Sequence, residues 1–267
     1  MRIKNLFNIA LSLVVFNSCN FKKSNTVYNS FKGDKTLVFY LTFNGDNDDK
    51  SNLNFKKQNG ETMFDTDRFD NENSAALFTK QAFLSYGDIL DSVFSGENKR
   101  FTFSFWIKPK NSGSNVSLIC KNADSNCEEN NRQFNLKLTQ DNYIQFLWLY
   151  NNSQYNGYRM FESAVKLIEN KWQNVIITYD GLSNGGDGAF RPKLYVNGVN
   201  EEFIYKEKRG RLGYIEDKSA HLAIGTMVSS QGEMCSNNFF KGSLDDIMIF
   251  ERVITVNEIE LISSYKQ

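Results

Sequence analysis

The run Phe101-Thr102-Phe103-Ser104-Phe105-Trp106-Ile107-Lys108-Pro109-Lys110 decides the fold class. Phe101, Phe103, Phe105 and Ile107 fall on alternate positions, with Thr102, Ser104, Trp106 and Lys108 between them. A period of two is the signature of a strand with one strongly buried face. Pro109 has no N–H to give a central ladder, so the strand ends there. Working outward, LVFYLTF at 37–43, WQNVIITYD at 172–180 and GSLDDIMIF at 242–250 have the same grammar. Each needs a partner sheet over its apolar face. Recurring strands with few helices between them predict an all-β protein built as a two-sheet antiparallel sandwich.

The bulk properties agree. At 267 residues the chain suits one all-β domain behind a short leader. With 40% apolar and 14% aromatic residues, and 23 Phe against 2 Pro, it has the means to bury a core and is not a low-complexity chain. Formal charge balances to zero and no basic run is long enough to track a phosphate backbone, which excludes nucleic acid as a partner.

The N-terminus reads as an address. Arg2 and Lys4 give a positive start, LFNIALSLVVF at 6–16 gives a short apolar run, and Ser18 precedes Cys19. The run is about half of the roughly 20 residues a spanning helix needs. FNSC resembles a bacterial lipobox, whose Cys becomes the lipidated first residue; Phe16 and Asn17 depart from its commonest form, and cleavage without lipidation is the alternative. The expected layout is a signal peptide over 1–19 with Cys19 lipidated, a flexible tether over 20–34, and one domain over 35–267. The destination is the cell envelope, at the outer membrane or the cell surface, with the lipid as the membrane contact. An oxidising compartment leaves Cys120, Cys127 and Cys235 to form one disulfide. Cys120 with Cys127, flanking a short polar loop, is the expected pair, and Cys127 with Cys235 the alternative. His221 is the lone histidine and no CxxC occurs, so a transition-metal site is not expected; His221 itself reads as a surface residue.

Along the chain, the first strand runs into Asn44-Gly45-Asp46-Asn47-Asp48-Asp49, a turn crowded with acidic and amide oxygens. It is either a solvated turn or a calcium loop, since a hard cation wants converging carboxylate and carbonyl oxygens. Residues 51–75 are polar and irregular. Strands are expected within 75–84, at 116–121, at 133–139 and, after a turn at Asp141-Asn142, at 143–150. NNSQYNGY at 151–158 reads as an aromatic-rich polar loop. Asn197-Gly198 between strand-like flanks is the strongest hairpin signal, and 206–220 is a charged excursion. Val256 to Tyr265 is the one credible helix, with Thr255 as N-cap, Glu258 three residues on, and Ile259 and Ile262 on one face.

Five stretches in order then resemble one family: YLTFNG at 40–45 followed by Asp49, the 101–109 strand, WQNV and TYDG within 172–181, LYVNG at 194–198, and GSLDDIMIF at 242–250. They resemble the laminin-G-like, concanavalin-A-like lectin/glucanase jelly roll and cover 37–265, short C-terminal helix included. The resemblance implies two antiparallel sheets with ligands at a concave face or along the loop rim. It also implies structural calcium near the first loop and the Asp-Asp strand, with Asn44, Asp46, Asp49 and Asp245 as the candidate ligands. Asn44 stands where the family usually has Asp.

Glycoside hydrolysis needs two carboxylates about 5–5.5 Å apart for retention or about 6.5–9.5 Å for inversion. The resemblance implies that a glucanase of this fold would carry them on one strand as a Glu-x-Asp-x-Glu array, and none is found: Glu128-Glu129 sits in the cysteine loop, Glu201-Glu202 follows a hairpin, and the adjacent Asp245 and Asp246 of a regular strand point to opposite faces. No catalytic residue is assigned. Sugar binding needs flat aromatic faces and polar anchors, which Trp148, Tyr150, Tyr155, Tyr158 and Arg159 supply in one region, together with Asn151, Asn152 and Asn156. The competing reading puts Trp148 in the core and the tyrosines over a sheet edge. The expected function is a non-catalytic, lectin-like carbohydrate-binding module on an anchored lipoprotein, its partner a glycan. A module gripping an extracellular protein is the first alternative and a hydrolase with an atypical site the second.

Overall fold

The structure is a computed structural model that describes residues 29–123, 127–128, 131–152, 155–181, 192–209 and 215–264, with backbone alone at 150–152, 155–156 and 208–209. The signal peptide, Cys19 and the first part of the tether lie outside the described residues. Strands run β1 (Leu37–Leu41), β2 (Met63–Asp65), β3 (Ala75–Phe78), β4 (Leu84–Ser85), β5 (Arg100–Pro109), β6 (Val116–Asn122), β7 (Arg132–Leu138) and β8 (Tyr143–Asn152). They continue as β9 (Tyr155–Lys166), β10 (Gln173–Asp180), β11 (Lys193–Val196), β12 (Val199–Glu201), β13 (Phe203–Arg209), β14 (Leu222–Ile224) and β15 (Gly242–Phe250). A short helix α1 (Asp91–Phe94) precedes β5, and α2 (Val256–Ser264) follows β15.

Two antiparallel sheets result. One has eight strands in the order β12-β11-β10-β5-β15-β3-β2, with β1 also on β15; the other has seven, β13-β9-β8-β7-β6-β14-β4. This is the jelly-roll sandwich the alternating strands imply. Phe101, Phe103, Phe105 and Ile107 of β5 point between the sheets and meet Phe134, Phe146 and Trp148 of the facing sheet, with Phe94 of α1 wedged among them. Phe101 lies 4.9 Å from Trp148 and Phe94 lies 4.6 Å from Phe134, ring centre to ring centre. Tilted and edge-on contacts of this kind add stabilisation beyond the area they bury.

β5 is buried on both faces, a step beyond the one-sided strand the sequence predicts. The outward face of the eight-stranded sheet carries a second apolar cluster of Tyr40, Ile176, Met248 and Phe250, covered by Ile259 and Ile262 of α2 and by Phe31. Phe31 packs edge-on to Phe250 at 5.1 Å, so the stretch read as tether up to residue 34 is already packed on the domain by residue 31. α2 starts with the expected reciprocal cap: the Glu258 N–H donates to Thr255 Oγ1 and the Thr255 N–H to Glu258 Oε2. Arg252 ties this end to the start of the domain, donating to Glu258 at 2.7 Å and to Asp34 at 2.7 Å.

The Asn197-Gly198 hairpin joins β11 to β12 with Val196 opposite Val199 and both turn residues at positive φ, 52° and 80°. That is the primed turn whose twist suits a tight hairpin. Elsewhere the chain is more regular than expected. NNSQYNGY is not a loop: β8 and β9 pair from Asn152 and Tyr155 back to Tyr143 and Lys166, so 151–152 and 155–158 are ladder residues. β13 extends the sheet through the start of the charged excursion, paired to β9. Side chains that alternate polar and apolar across an open sheet face give only a weak strand signal.

The disulfide joins Cys127 to Cys235, and Cys120 is free and buried. This corrects the expected Cys120–Cys127 pair. Cys120 sits inside β6 against Phe83, Ala223 and Val228, with its thiol on the Thr226 carbonyl, while Cys127 lies beyond the strand end.

Candidate functional site

Cross-strand register sorts the carbohydrate candidates by face, because paired residues share one side of a sheet. Trp148 stands opposite Phe134 and Arg159 and points inward; both Trp148 and Arg159 are buried. Trp148 therefore serves the core, as the competing reading has it, and offers no platform to a ligand. Tyr150 and Tyr155 are on the β8–β9 ladder, and their side chains lie outside the described residues. Tyr158 points the other way, outward beside Leu149, half-buried, with its hydroxyl on Glu207.

Around Tyr158 the outward face of the seven-stranded sheet forms two further rows. Asn135, Leu147 and Met160 make one; Lys137, Gln145 and Glu162 make the other. Leu147, Gln145, Met160 and Glu162 are half-buried, and Gln145 donates to Glu162 at 2.7 Å. Asn135 is fully buried, and neither its Nδ2 nor its Oδ1 has a hydrogen-bond partner among the described residues. The sequence concealed this strip because its members come from three strands and none is an exposed tryptophan. The strand β8 itself separates half-buried Gln145, Leu147 and Leu149 from the buried Ile144, Phe146 and Trp148, an alternation that was open to reading within 143–150.

The acidic candidates are brought partly together. Asn44 is exposed, and Asp46 accepts from Lys50 at 2.8 Å and from the Asp48 N–H. Asp49 is buried and organises the loop: it accepts from the backbone N–H groups of Tyr40, Ser51 and Phe55 and from the Ser51 hydroxyl. Asp245 is buried in β15 beside Asp246. Asp246 adopts φ 44° within a bulge that lets two β15 residues face one of β5. The expectation that adjacent aspartates diverge fails for this reason, because the bulge turns both carboxylates toward one guanidinium. Arg68 donates from one terminal nitrogen to Asp245 at 2.5 Å and from the other to Asp246 at 2.7 Å.

The remaining oxygens are also taken. Asp245 Oδ1 accepts the Asp246 N–H, and Asp246 Oδ1 accepts the Tyr40 hydroxyl. Burial, then the neighbouring Asp246, push the Asp245 carboxyl well up, while Arg68 pulls it back. Tyr40 is pushed far up, by burial first and then by the charge on Asp246. A calcium ion wants about 6–8 oxygens around it. No group of three or more acidic, His or Cys side chains among the described residues is arranged to hold a metal, and every carboxylate oxygen of the Asp49, Asp245 and Asp246 set already accepts a donor. These residues do not fit the ion.

His221, read from sequence as a surface residue, is buried with Nδ1 2.8 Å from the Ser85 hydroxyl, and burial pushes its pKa down. Ser85 is wholly buried on β4, beyond the reach of a substrate carbonyl. Glu128 is engaged by the Ser230 hydroxyl and N–H, so the pair holds a loop.

The profile of the Concanavalin A-like lectin/glucanases superfamily matches residues 85–260, more than half of the chain. The chain belongs to this superfamily. Members share the sandwich while their functional residues vary, so the strip and the acidic centre of this laminin-G-like domain have to be read on their own chemistry. Among solved structures, the binding domain of botulinum neurotoxin serotype G matches with TM-score 0.57 and 17% identity over 85% of this chain and 50% of that one. The serotype D ligand-binding domain in complex with N-acetylneuraminic acid matches with TM-score 0.56 and 18% identity over 86% and 51%. The superfamily chain thus spans about half the length of these neighbours, and at such identity the likeness is one of fold. No curated protein sequence matches it.

Proposed function

We propose that this protein is a non-catalytic, lectin-like carbohydrate-binding module, exported and held at the cell envelope by a lipid on Cys19. The observation that carries the reading is the outward strip of β7, β8 and β9. There, two adjacent rows with apolar Leu147, Leu149 and Met160 and the ring of Tyr158 lie beside a row with the hydrogen-bonding groups of Gln145, Glu162 and Lys137. A sugar presents the same mixture, C–H faces beside hydroxyls, and is held by apolar contact plus a few placed polar groups. The serotype D ligand-binding domain, about half of which this chain spans, is in complex with N-acetylneuraminic acid, and this likeness of fold keeps a sugar first among the ligands to test. The opposite sheet has its outward face covered by α2 and Phe31, which favours the strip over that face as the place for a ligand.

A glycan array followed by calorimetry tests the reading. We expect a hit whose affinity falls at least about tenfold in Tyr158→Ala and in Gln145→Ala, each change worth about 1.4 kcal/mol or more. Binding untouched by both variants would move the site elsewhere. Cleaved sugar would turn the protein into a hydrolase, and capture of a protein with no sugar bound would make it an adhesion module. For the anchor, Cys19→Ala should release the protein from the membrane fraction.

A further inference from the structure

We propose that Arg68 is the resident cation of this domain, standing where the superfamily resemblance implies calcium, so that the acidic centre is held together without a metal. The centre is assembled from four distant pieces of chain. Asp245 and Asp246 come from the β15 bulge, Tyr40 from β1, Trp106 from β5, and Arg68 with Phe69 from the turn after β2. Arg68 is 1% exposed, Asp245 3% and Asp246 4%, so none of the three charges has bulk water to stabilise it. Two buried carboxylates at adjacent positions repel each other and require a counter-charge.

What surrounds that counter-charge identifies its kind. The guanidinium carbon lies 4.5 Å from the centre of the Phe69 ring and 4.5 Å from that of the Trp106 ring. Aromatic faces attract a flat, weakly hydrated cation but donate no oxygen to a metal. The two terminal nitrogens each meet a different carboxylate, a fork geometry that a point charge lacks. The backbone cooperates, since Asp246 accepts a left-handed conformation, strained for a residue with a side chain, and so delivers its carboxylate to the same guanidinium.

Thermal unfolding of the full chain tests the assignment. The wild-type midpoint should be the same in EDTA and in millimolar calcium; a rise of about 5 °C or more with calcium would overturn the proposal, since ligand binding to the folded state must raise the midpoint. Arg68→Met keeps the bulk and removes the charge, and should lower the midpoint steeply or prevent folding. The triple variant Arg68→Met, Asp245→Asn, Asp246→Asn removes all three charges and should recover most of that loss. If the triple variant is as crippled as Arg68→Met, the side chain acts through packing alone and the proposal falls. The readout stays decisive if Arg68→Met does not fold, because recovery of a folded protein by neutralising the aspartates is itself the expected result.

Discussion

The two outward faces of the sandwich are finished in opposite ways. On the eight-stranded sheet the chain covers itself: α2 and Phe31 lie over Met248 and Phe250, and Arg68 seals the aspartate pair against Trp106. On the seven-stranded sheet, β7, β8 and β9 keep a strip of half-buried Gln145, Leu147, Tyr158 and Met160. The contrast shows why the same residue types mean different things on the two sides. A charge on the closed face must be paired, because burial leaves it no other stabilisation, and its role is architectural. A polar or aromatic group on the open strip keeps spare surface for a partner.

The strongest test of the distinction lies within β8 and β9, where Trp148 faces in and Tyr158 faces out. Trp148→Ala empties a site lined by Phe101, Phe134 and Phe146 and should cost about 3–5 kcal/mol of unfolding free energy. Tyr158→Ala should cost under about 1 kcal/mol while weakening glycan binding as stated above. Denaturant titration of both variants checks this, and equal destabilisation would erase the distinction between core and open strip.

The next largest effect concerns the margin of the open sheet. The Cys127–Cys235 bond spans 108 residues and staples the loop after β6 to the segment that lays Val228 over Cys120. Replacing both cysteines by serine should cost about 2–4 kcal/mol. Burial pushes the Cys120 thiol up to about 12, so in the native wild type it should resist alkylation at neutral pH. In the double serine variant its labelling rate should rise, by mass spectrometry, as the cover loosens. An unchanged rate would show that the strand itself, rather than the stapled loop, protects Cys120.

The sequence reveals these two sides unequally. The closed sheet announced itself, because β5 alternates apolar and polar positions and β10 carries the apolar run Val175-Ile176-Ile177, and the Thr255/Glu258 cap with Ile259 and Ile262 locates α2 to within a residue or two. The centre of that face did not. Arg68 sits in a polar, aperiodic stretch, and its partners lie 177 and 178 positions away, a separation no local pattern reports. One signal was present: two adjacent aspartates inside an otherwise apolar strand demand a buried cation. The choice between a metal and an arginine needs the fold. The Cys127–Cys235 pairing was open for the same reason, since proximity in sequence favoured a partner that a strand holds out of reach.

The smallest effect is read in acid and probes how the closed face is fastened at its rim. Glu258 is held down at about 2 against an ordinary value of 4.5, first by the hydrogen bonds from Arg252 and then by the N–H and hydroxyl of Thr255. A carboxylate whose folded pKa is depressed stabilises the fold fully above its unfolded value, and that contribution drains away as pH falls from about 4.5 through about 2. Glu258 is partly open to solvent, so screening keeps its contribution to about 1 kcal/mol or less. Glu258→Gln should therefore be less stable than wild type by a constant margin between pH 7 and about 5. The two stability curves should converge below that and meet near pH 2. Arg252 also holds Asp34, so acid weakens the clamp between the start of the domain and α2. Curves that stay parallel from pH 7 to pH 2 would mean that Glu258 serves only as a helix cap through its neutral hydrogen bonds, and that the closed face is fastened by its apolar cluster alone.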